Sequence, residues 1–295
     1  MAATTLDDLQ TIITANLAGL SPQLRRAARF VVENPGDIAM RSQRYAAQVS
    51  QLPAPTFTRL ARAVGLDDYD GLRDLCRADV LRSRTVLADR ARALVADCDH
   101  DALPLPTRHA NAAIRNVQAM VSRTDPQEFT NAARLLSRAG RVVLIGEMSA
   151  RGLVDYASYV ANMSLTGWKV LVRAGESLSV DLAMLRPDDA CIIVSINPYA
   201  NRAVEIAKHV VNCDVRLIAV TDNAMSPLAP MATHSFFVGT DSPQFFPSHV
   251  SSLMVIETLI DMVIRVRGAE AQKHIAAVER QNHQVNEYWQ DGPAG

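Results

Sequence analysis

Two short stretches of the chain combine glycine, hydroxyl, amide and arginine residues in a pattern suited to binding an anion. The first, "GEMSAR", follows the apolar run "RVVLI", and the second, "SINPYANR", follows "ACIIV". Backbone N–H groups at a helix start favour negative charge, and a guanidinium group pairs with phosphate through two hydrogen bonds. We therefore predict a site for a small phosphorylated or acidic metabolite, such as a sugar phosphate. Its candidate residues are Gly146, Ser149, Arg151, Ser195, Asn197, Tyr199 and Asn201.

The elements that must position these loops are strands and helices in alternation. After Gly140, five apolar runs read as strands: "RVVLIG", "KVLVR", "ACIIVSI", "RLIAVTD" and "SFFVG". Their continuous apolarity is typical of a parallel sheet covered on both faces. We expect a doubly wound, flavodoxin-like α/β domain over residues 126–268, with strands one and three adjacent, so that the two loops share one pocket. A C-terminal helix and tail would occupy residues 269–295.

The N-terminal part of the chain has helical periodicity throughout. We predict an all-α domain over residues 1–85 and a helical linker region over residues 86–125. Within the first domain, "SQRYAAQVSQLPAPTFTRLARAVG" reads as helix, turn, helix. In the second helix, apolar residues at i, i+3, i+4 and i+7 predict a stripe facing the core: Phe57, Leu60, Ala61 and Val64.

The opposite face of that second helix carries arginine and threonine. Thr56, Arg59 and Arg62 fall on it, with Thr58 beside them. Hydroxyl groups can contact a DNA backbone, and arginine can contact guanine edges or phosphates, so this face is suited to the major groove. A solvent-exposed arginine face with no partner is the alternative.

Composition restricts the other possibilities. Hydrophobic residues make up 48% and charged residues 21%, which argues against a largely disordered chain. The formal net charge of −1 gives no electrostatic case for nucleic-acid binding by the whole molecule, but residues 1–85 hold eleven arginines against nine acids. The chain has no signal-like N-terminus, no apolar run long enough to cross a membrane and no close-spaced histidine or cysteine set. We expect a cytoplasmic protein without membrane association, cofactor or metal.

Two motifs resemble a known family. The segment "VTDNAMSPLA" resembles TDxxxSPLA of the sugar isomerase (SIS) domain, and "PTFTRLARAVGLDDYDGLR" resembles PATVTRFARxLGFxGYxEFR of the MurR/RpiR family. In that family a helix-turn-helix domain precedes an SIS domain. The resemblance implies a transcription regulator that binds double-stranded operator DNA as a homodimer or homotetramer. Its DNA contacts would come from Arg44, Thr56, Thr58, Arg59 and Arg62, and a metabolite would bind in the SIS domain.

Several positions depart from the family pattern. Ala150 and Ala200 stand where hydroxyl residues are usual, Gln51 replaces the glycine of the turn, and Pro53 and Ala54 replace its Ser-Pro. A hydrogen bond to a charged group contributes about 1.5 to 3 kcal/mol, so losing one or two weakens phosphate binding about tenfold to several hundredfold. An SIS domain that has lost its ligand and serves only to dimerise is therefore one alternative.

An enzyme is the other alternative. A sugar-phosphate isomerase needs a carboxylate or histidine to move a proton beside a carbonyl group, and His249, Glu257 or Glu205 could do so. The attached helix-turn-helix and the two missing hydroxyls argue against turnover. We therefore predict a regulator with no catalytic residues.

Overall fold

The chain divides into two compact units. The computed structural model describes residue 3 and residues 6–15, 19–83, 86–96, 103–171 and 177–289. The first unit comprises residues 1–109, 223–229 and 242–247, and the second comprises residues 110–222, 230–241 and 248–295. Within the described residues, the first unit is helical and the second combines helices with a parallel sheet, as the sequence predicts.

The first unit contains α1 (Leu6–Ala15), α2 (Pro22–Glu33), α3 (Pro35–Met40), α4 (Gln43–Ser50), α5 (Pro55–Ala63), α6 (Tyr69–Ser83) and α7 (Val86–Ala96). Serine side chains cap two of these helices: Ser21 accepts the N–H of Leu24, and Ser42 accepts the N–H of Tyr45. The core of the unit centres on Phe57, which is fully buried and makes edge-to-face contacts with Phe30 and Tyr69.

A turn of residues 51–54 joins α4 to α5. Gln51 ends α4 in the left-handed conformation, with φ of 54°. Gln43, at the start of α4, donates from Nε2 to the carbonyl oxygen of Ala54 at 2.6 Å and to Thr58 Oγ1 at 2.9 Å. These bonds fix the start of α5 against the start of α4.

The second unit is built on strands β1 (Val142–Gly146), β2 (Trp168–Val170), β3 (Ala190–Val194), β4 (Arg216–Thr221) and β5 (His234–Phe237). Its helices are α8 (Leu105–Arg123, which begins in the first unit), α9 (Pro126–Arg138), α10 (Arg151–Ser164), α11 (Leu178–Ala183), α12 (Asn201–Asn212), α13 (Val250–Arg267) and α14 (Ala269–Gln284). All strand pairs are parallel, in the order β2-β1-β3-β4-β5. This order confirms the predicted flavodoxin-like arrangement.

The sheet is buried because its strands are apolar on both faces. Every residue of β1 and β3 is buried. The apolar face of α13 also contributes to the core, through Val255, Ile256, Leu259, Ile260 and Val263. Burial on both faces explains why these strands read as continuous apolar runs rather than alternating ones.

Among the helices of the described residues, none combines the length and the apolar character that a membrane crossing requires.

Candidate functional site

The two predicted anion-binding loops leave the same edge of the sheet. β1 and β3 are neighbours in register, with Gly146 opposite Val194, so both strands end at one level. The loops that follow also approach each other, since Glu147 Oε1 lies 3.8 Å from Arg202 Nε in the first turn of α12. The strand order thus brings the first and third loops together, as expected for a site at a topological switch point.

Gly146 is required by close packing of the first loop. A Cβ atom built on Gly146 would lie 2.6 Å from the carbonyl oxygen of Ala150 and 2.9 Å from Val154 Cγ1. Gly146 is itself buried, so its absent side chain lets the chain turn tightly into α10. Ala150 is also buried, at 2% exposure, and packs into the core.

Ser149 lies exposed on the short 3-10 turn Met148–Ala150 that precedes α10. Met148, just before it, has φ of 54°, a left-handed conformation that non-glycine residues rarely adopt. The Ser149 hydroxyl lies 3.0 Å from His249 Nε2, from the residue that precedes α13. Burial lowers the pKa of His249 below its usual value, because the neutral imidazole is favoured away from water.

The third-strand loop is held by a hydrogen bond to the end of the fourth strand. The Tyr199 hydroxyl donates to Asp222 Oδ1 at 2.7 Å. Ser195 is buried at 5% exposure, whereas Asn197 and Asn201 are exposed. The loop therefore presents amide side chains to solvent and keeps its serine close to the strand end.

Arg151 already has partners within the protein. Its Nε lies 3.5 Å from Asp155 Oδ2, and its Nη1 donates to the carbonyl oxygen of Leu171 at 3.4 Å. A bound anion would have to compete with Asp155 for this guanidinium group.

Three side chains at this edge lie outside the predicted ligand-binding set: Glu147, Asp222 and His249. The sequence suggests His249 only as a catalytic group, and the predicted set of ligand-binding residues does not include Glu147 or Asp222. His249 lies 100 positions from Ser149, and no local pattern in the sequence connects them. The one sequence feature that suggests a role for His249 at this site is its position at the start of the helix that follows the last strand.

Of the five predicted DNA-contacting residues, four are at least partly exposed to solvent and one is buried. Arg44, Arg59 and Arg62 are exposed and Thr58 is half-buried, but Thr56 is fully buried. The prediction that Thr56 lies on the open face of α5 is therefore wrong. Because Pro55 begins the helix, Thr56 lies in its first turn against the core, and its Oγ1 accepts a bond from Arg59 Nη2 at 3.3 Å.

The exposed arginines of α4 and α5 carry uncompensated charge. Among the residues that the structure describes, no carboxylate pairs with Arg44, Arg59 or Arg62. Arg59 Nη2 lies 3.5 Å from Gln23 Oε1, and Arg62 Nε donates to the carbonyl oxygen of Asp67 at 3.4 Å. The buried stripe on the opposite side of α5, from Phe57 to Val64, holds this face toward solvent.

A separate cleft of about 430 Å³ lies at the amino ends of β1 and β3, near residues 140–141 and 183–189. Its wall contains an ion pair in which Arg141 binds both carboxylate oxygens of the buried Asp189, at 3.1 and 2.6 Å. Arg141 also donates to the carbonyl oxygen of Met184 at 2.7 Å. These bonds tie the start of β1 to the segment before β3, on the opposite edge from the predicted site.

Comparison with known proteins identifies the second half of the chain. Residues 135–262 match the family model described as "SIS domain". The chain contains an SIS domain. The structure of the sugar isomerase domain of an RpiR transcription factor from Sphaerobacter thermophilus is similar to this chain, with 26% sequence identity and a TM-score of 0.56. The match covers 61% of this chain and 98% of that chain.

Two relatives extend beyond the SIS domain. An uncharacterized HTH-type transcriptional regulator from Caldanaerobacter subterraneus is 20% identical over 279 residues, which is 92% of this chain and 95% of the relative. The NanR protein of Vibrio vulnificus, solved in complex with ManNAc-6P, is 18% identical and covers 94% of this chain and 98% of its own, with a TM-score of 0.56. These similarities confirm the resemblance to RpiR-type regulators with an SIS domain.

Proposed function

We propose that this protein is a transcription regulator that binds operator DNA through α5 and the start of α4, and that a small phosphorylated metabolite bound in the SIS domain changes its affinity for DNA. The observation that carries the DNA-binding half is the pair of exposed arginines, Arg59 and Arg62, on a helix whose opposite face is the core of its unit. The similarity to HTH-type and RpiR regulators supports this function.

The arginine face suits DNA for electrostatic reasons. Guanidinium groups without carboxylate partners can replace counterions along the phosphate backbone and can bind guanine through two hydrogen bonds. Thr58 is bonded to Gln43, which fixes α5 relative to α4. We therefore assign Arg44 to backbone contacts and Arg59 and Arg62 to base or phosphate contacts, and we assign Thr56 to packing.

The metabolite site lies at the carboxyl edge of the sheet. Ser149 and Asn201 are exposed there on the elements that follow β1 and β3, and the N-termini of α10 and α12 direct N–H groups to the same edge. ManNAc-6P is a phosphorylated sugar bound by the NanR protein, which supports a ligand of that class here. The metabolite can regulate DNA binding only by binding one conformation better than another.

The DNA-binding half is tested by affinity measurements with substituted arginines. We expect Arg59→Ala and Arg62→Ala each to weaken binding to a selected genomic site about 5- to 150-fold where a base contact is lost, or to reduce the salt slope by about 1 where a phosphate contact is lost. Fluorescence anisotropy with a labelled duplex, over a series of salt concentrations, measures both quantities.

Arg134→Ala is the matched control for these variants, because Arg134 is an exposed arginine on α9 and its loss changes net charge equally. It should bind the site within about twofold of the wild-type protein. Wild-type binding to selected DNA no tighter than to random DNA at moderate salt would contradict the proposed function.

An isomerase is the second candidate, because Ser149 and His249 lie together at the carboxyl edge of the sheet and Glu257 accepts a hydrogen bond from Tyr156 at 2.7 Å. That bond raises the pKa of Tyr156. Steady turnover of sugar phosphates that is lost in Glu257→Gln would favour the enzyme over the regulator.

A further inference from the structure

The start of α13 contains polar atoms without partners. His249 Nδ1, Ser251 Oγ and Ser252 Oγ are buried and have no hydrogen-bond partner within the described residues. Both serines are fully buried, at 0% exposure. Burying a polar group without a hydrogen-bond partner is unfavourable, so the unpartnered Nδ1 of His249 indicates that a polar group binds beside it.

His249 lies beside the predicted metabolite site, whereas Ser251 and Ser252 lie on the buried face of α13 with Val255 and Ile256. His249 Nε2 is 3.0 Å from the hydroxyl of Ser149, so α13 begins next to the loop that follows β1. The helix is 18 residues long; the N–H of Val250 donates to Ser248 Oγ at 3.3 Å, and the N–H groups of Ser251 and Ser252 have no partner within the helix. The helix dipole adds partial positive charge at this end.

Charge at this edge is otherwise largely compensated. Arg151 lies 3.5 Å from Asp155, and Arg202 lies 3.8 Å from Glu147. On α13 itself, Glu257 accepts a bond from the Tyr156 hydroxyl of α10. Of the three basic side chains Arg151, Arg202 and His249, only His249 lacks a carboxylate partner in the described part of the chain.

We infer that His249 is part of the metabolite site: together with Ser149 and the first turn of α13, it binds the anionic group of the ligand in its protonated form. This inference rests on the proposed function and adds the group that supplies the positive charge. Neutral His249 can donate from only one ring nitrogen, whereas the imidazolium donates from both. Protonated His249 donates from Nε2 to Ser149 Oγ and from Nδ1 to the anion, and its positive charge, which the neutral ring lacks in either tautomer, strengthens the bond to the anion.

Binding of an anion is then linked to uptake of a proton. Burial holds the pKa of free His249 below the usual value of 6.5, so the ring is neutral at pH 8. A bound anion stabilises the imidazolium and raises this pKa. Affinity therefore increases as pH falls from 8 and becomes constant below the pKa of the free protein.

The linkage can be measured with inorganic sulfate, which keeps its two negative charges across this range. Isothermal titration of the full chain at pH 5.5 to 8 should show affinity rising by about tenfold or more toward low pH. His249→Gln should weaken sulfate binding about tenfold to a hundredfold at pH 6 and by less than about threefold at pH 8. His209→Gln, at an exposed histidine on α12, should retain the wild-type profile.

A second measurement uses the wild-type protein and does not depend on how the variant folds. The imidazole NMR signals that disappear in His249→Gln should titrate at higher pH when sulfate is added, while those of His209 stay unchanged. Sulfate binding that is independent of pH and equal in His249→Gln would overturn the inference while leaving the regulator proposal intact. Failure of sulfate and inorganic phosphate to bind at any pH would contradict both this inference and the proposed metabolite site, but not DNA binding.

Discussion

At the scale of single residues, Gly146 determines the shape of the first loop. Its missing Cβ leaves room for the carbonyl oxygen of Ala150, which lies 2.6 Å from the position that Cβ would take. The turn that places Ser149 next to His249 depends on this approach. Gly152, six residues later, has open space around it and lies in the exposed first turn of α10.

We predict opposite effects for alanine at these two glycines. Gly146→Ala must displace backbone atoms, so its free energy of unfolding should fall by about 1 to 3 kcal/mol, and sulfate binding should weaken. Gly152→Ala should raise the free energy of unfolding by up to about 1 kcal/mol, since alanine favours helix. Urea denaturation of both variants measures the difference, and equal effects would contradict the close-packing role of Gly146.

The residue types in the sequence predict which side chains of α5 are exposed, but they do not predict which distant residues contact one another. The spacing of Phe57, Leu60 and Arg59 was enough to separate the buried from the open face of α5. The predicted exposure of Thr56 is wrong because helical periodicity does not take account of how the preceding turn covers the first residues of a helix. The Ser149–His249 contact could not be predicted, because it depends on how a helix packs beside a loop 100 residues away in sequence.

At the scale of elements, the turn between α4 and α5 shows how a departure from the family motif is accommodated. Gln51, where the motif has glycine, keeps the left-handed conformation with φ of 54° and ψ of 38°. Its backbone N–H still closes the end of α4 through bonds to the carbonyl oxygens of Ala47 and Gln48. The turn geometry is therefore kept at the cost of backbone strain.

Replacing Gln51 with glycine should relieve this strain. The Gln51 side chain is exposed, so we expect Gln51→Gly to raise the free energy of unfolding by about 0.5 to 1 kcal/mol. Gln48→Gly is the matched control, because Gln48 is an exposed glutamine inside α4, and it should lower the same quantity by about 1 kcal/mol. Destabilisation by both substitutions would show that Gln51 is not strained.

Strand order was the most predictable of the elements. The apolar runs indicated a parallel sheet, and the order β2-β1-β3-β4-β5 follows the flavodoxin-like pattern. Parallel strands that are buried on both faces appear in the sequence as continuous apolar runs, which makes them easy to recognise. The start of a helix such as α5 depends instead on a capping side chain, and neither Pro53 nor Ala54 supplies one.

At the scale of the whole molecule, the proposed function requires a helical unit that binds DNA and an SIS domain that binds a metabolite in one chain. Any regulation requires a coupling free energy between the two sites, and this coupling is reciprocal. A metabolite that weakens operator binding by a given factor must itself bind more weakly by the same factor when operator is present. A ligand-less SIS domain would have no such coupling.

The most direct test is therefore to measure this coupling from both sides. A panel of sugar phosphates is screened by melting temperature, and the strongest stabiliser is titrated with and without the selected operator. We predict that operator affinity changes about 5- to 150-fold with the metabolite, and that metabolite affinity changes by the same factor with operator. Tight binding of both ligands with each affinity unaffected by the other would contradict the account.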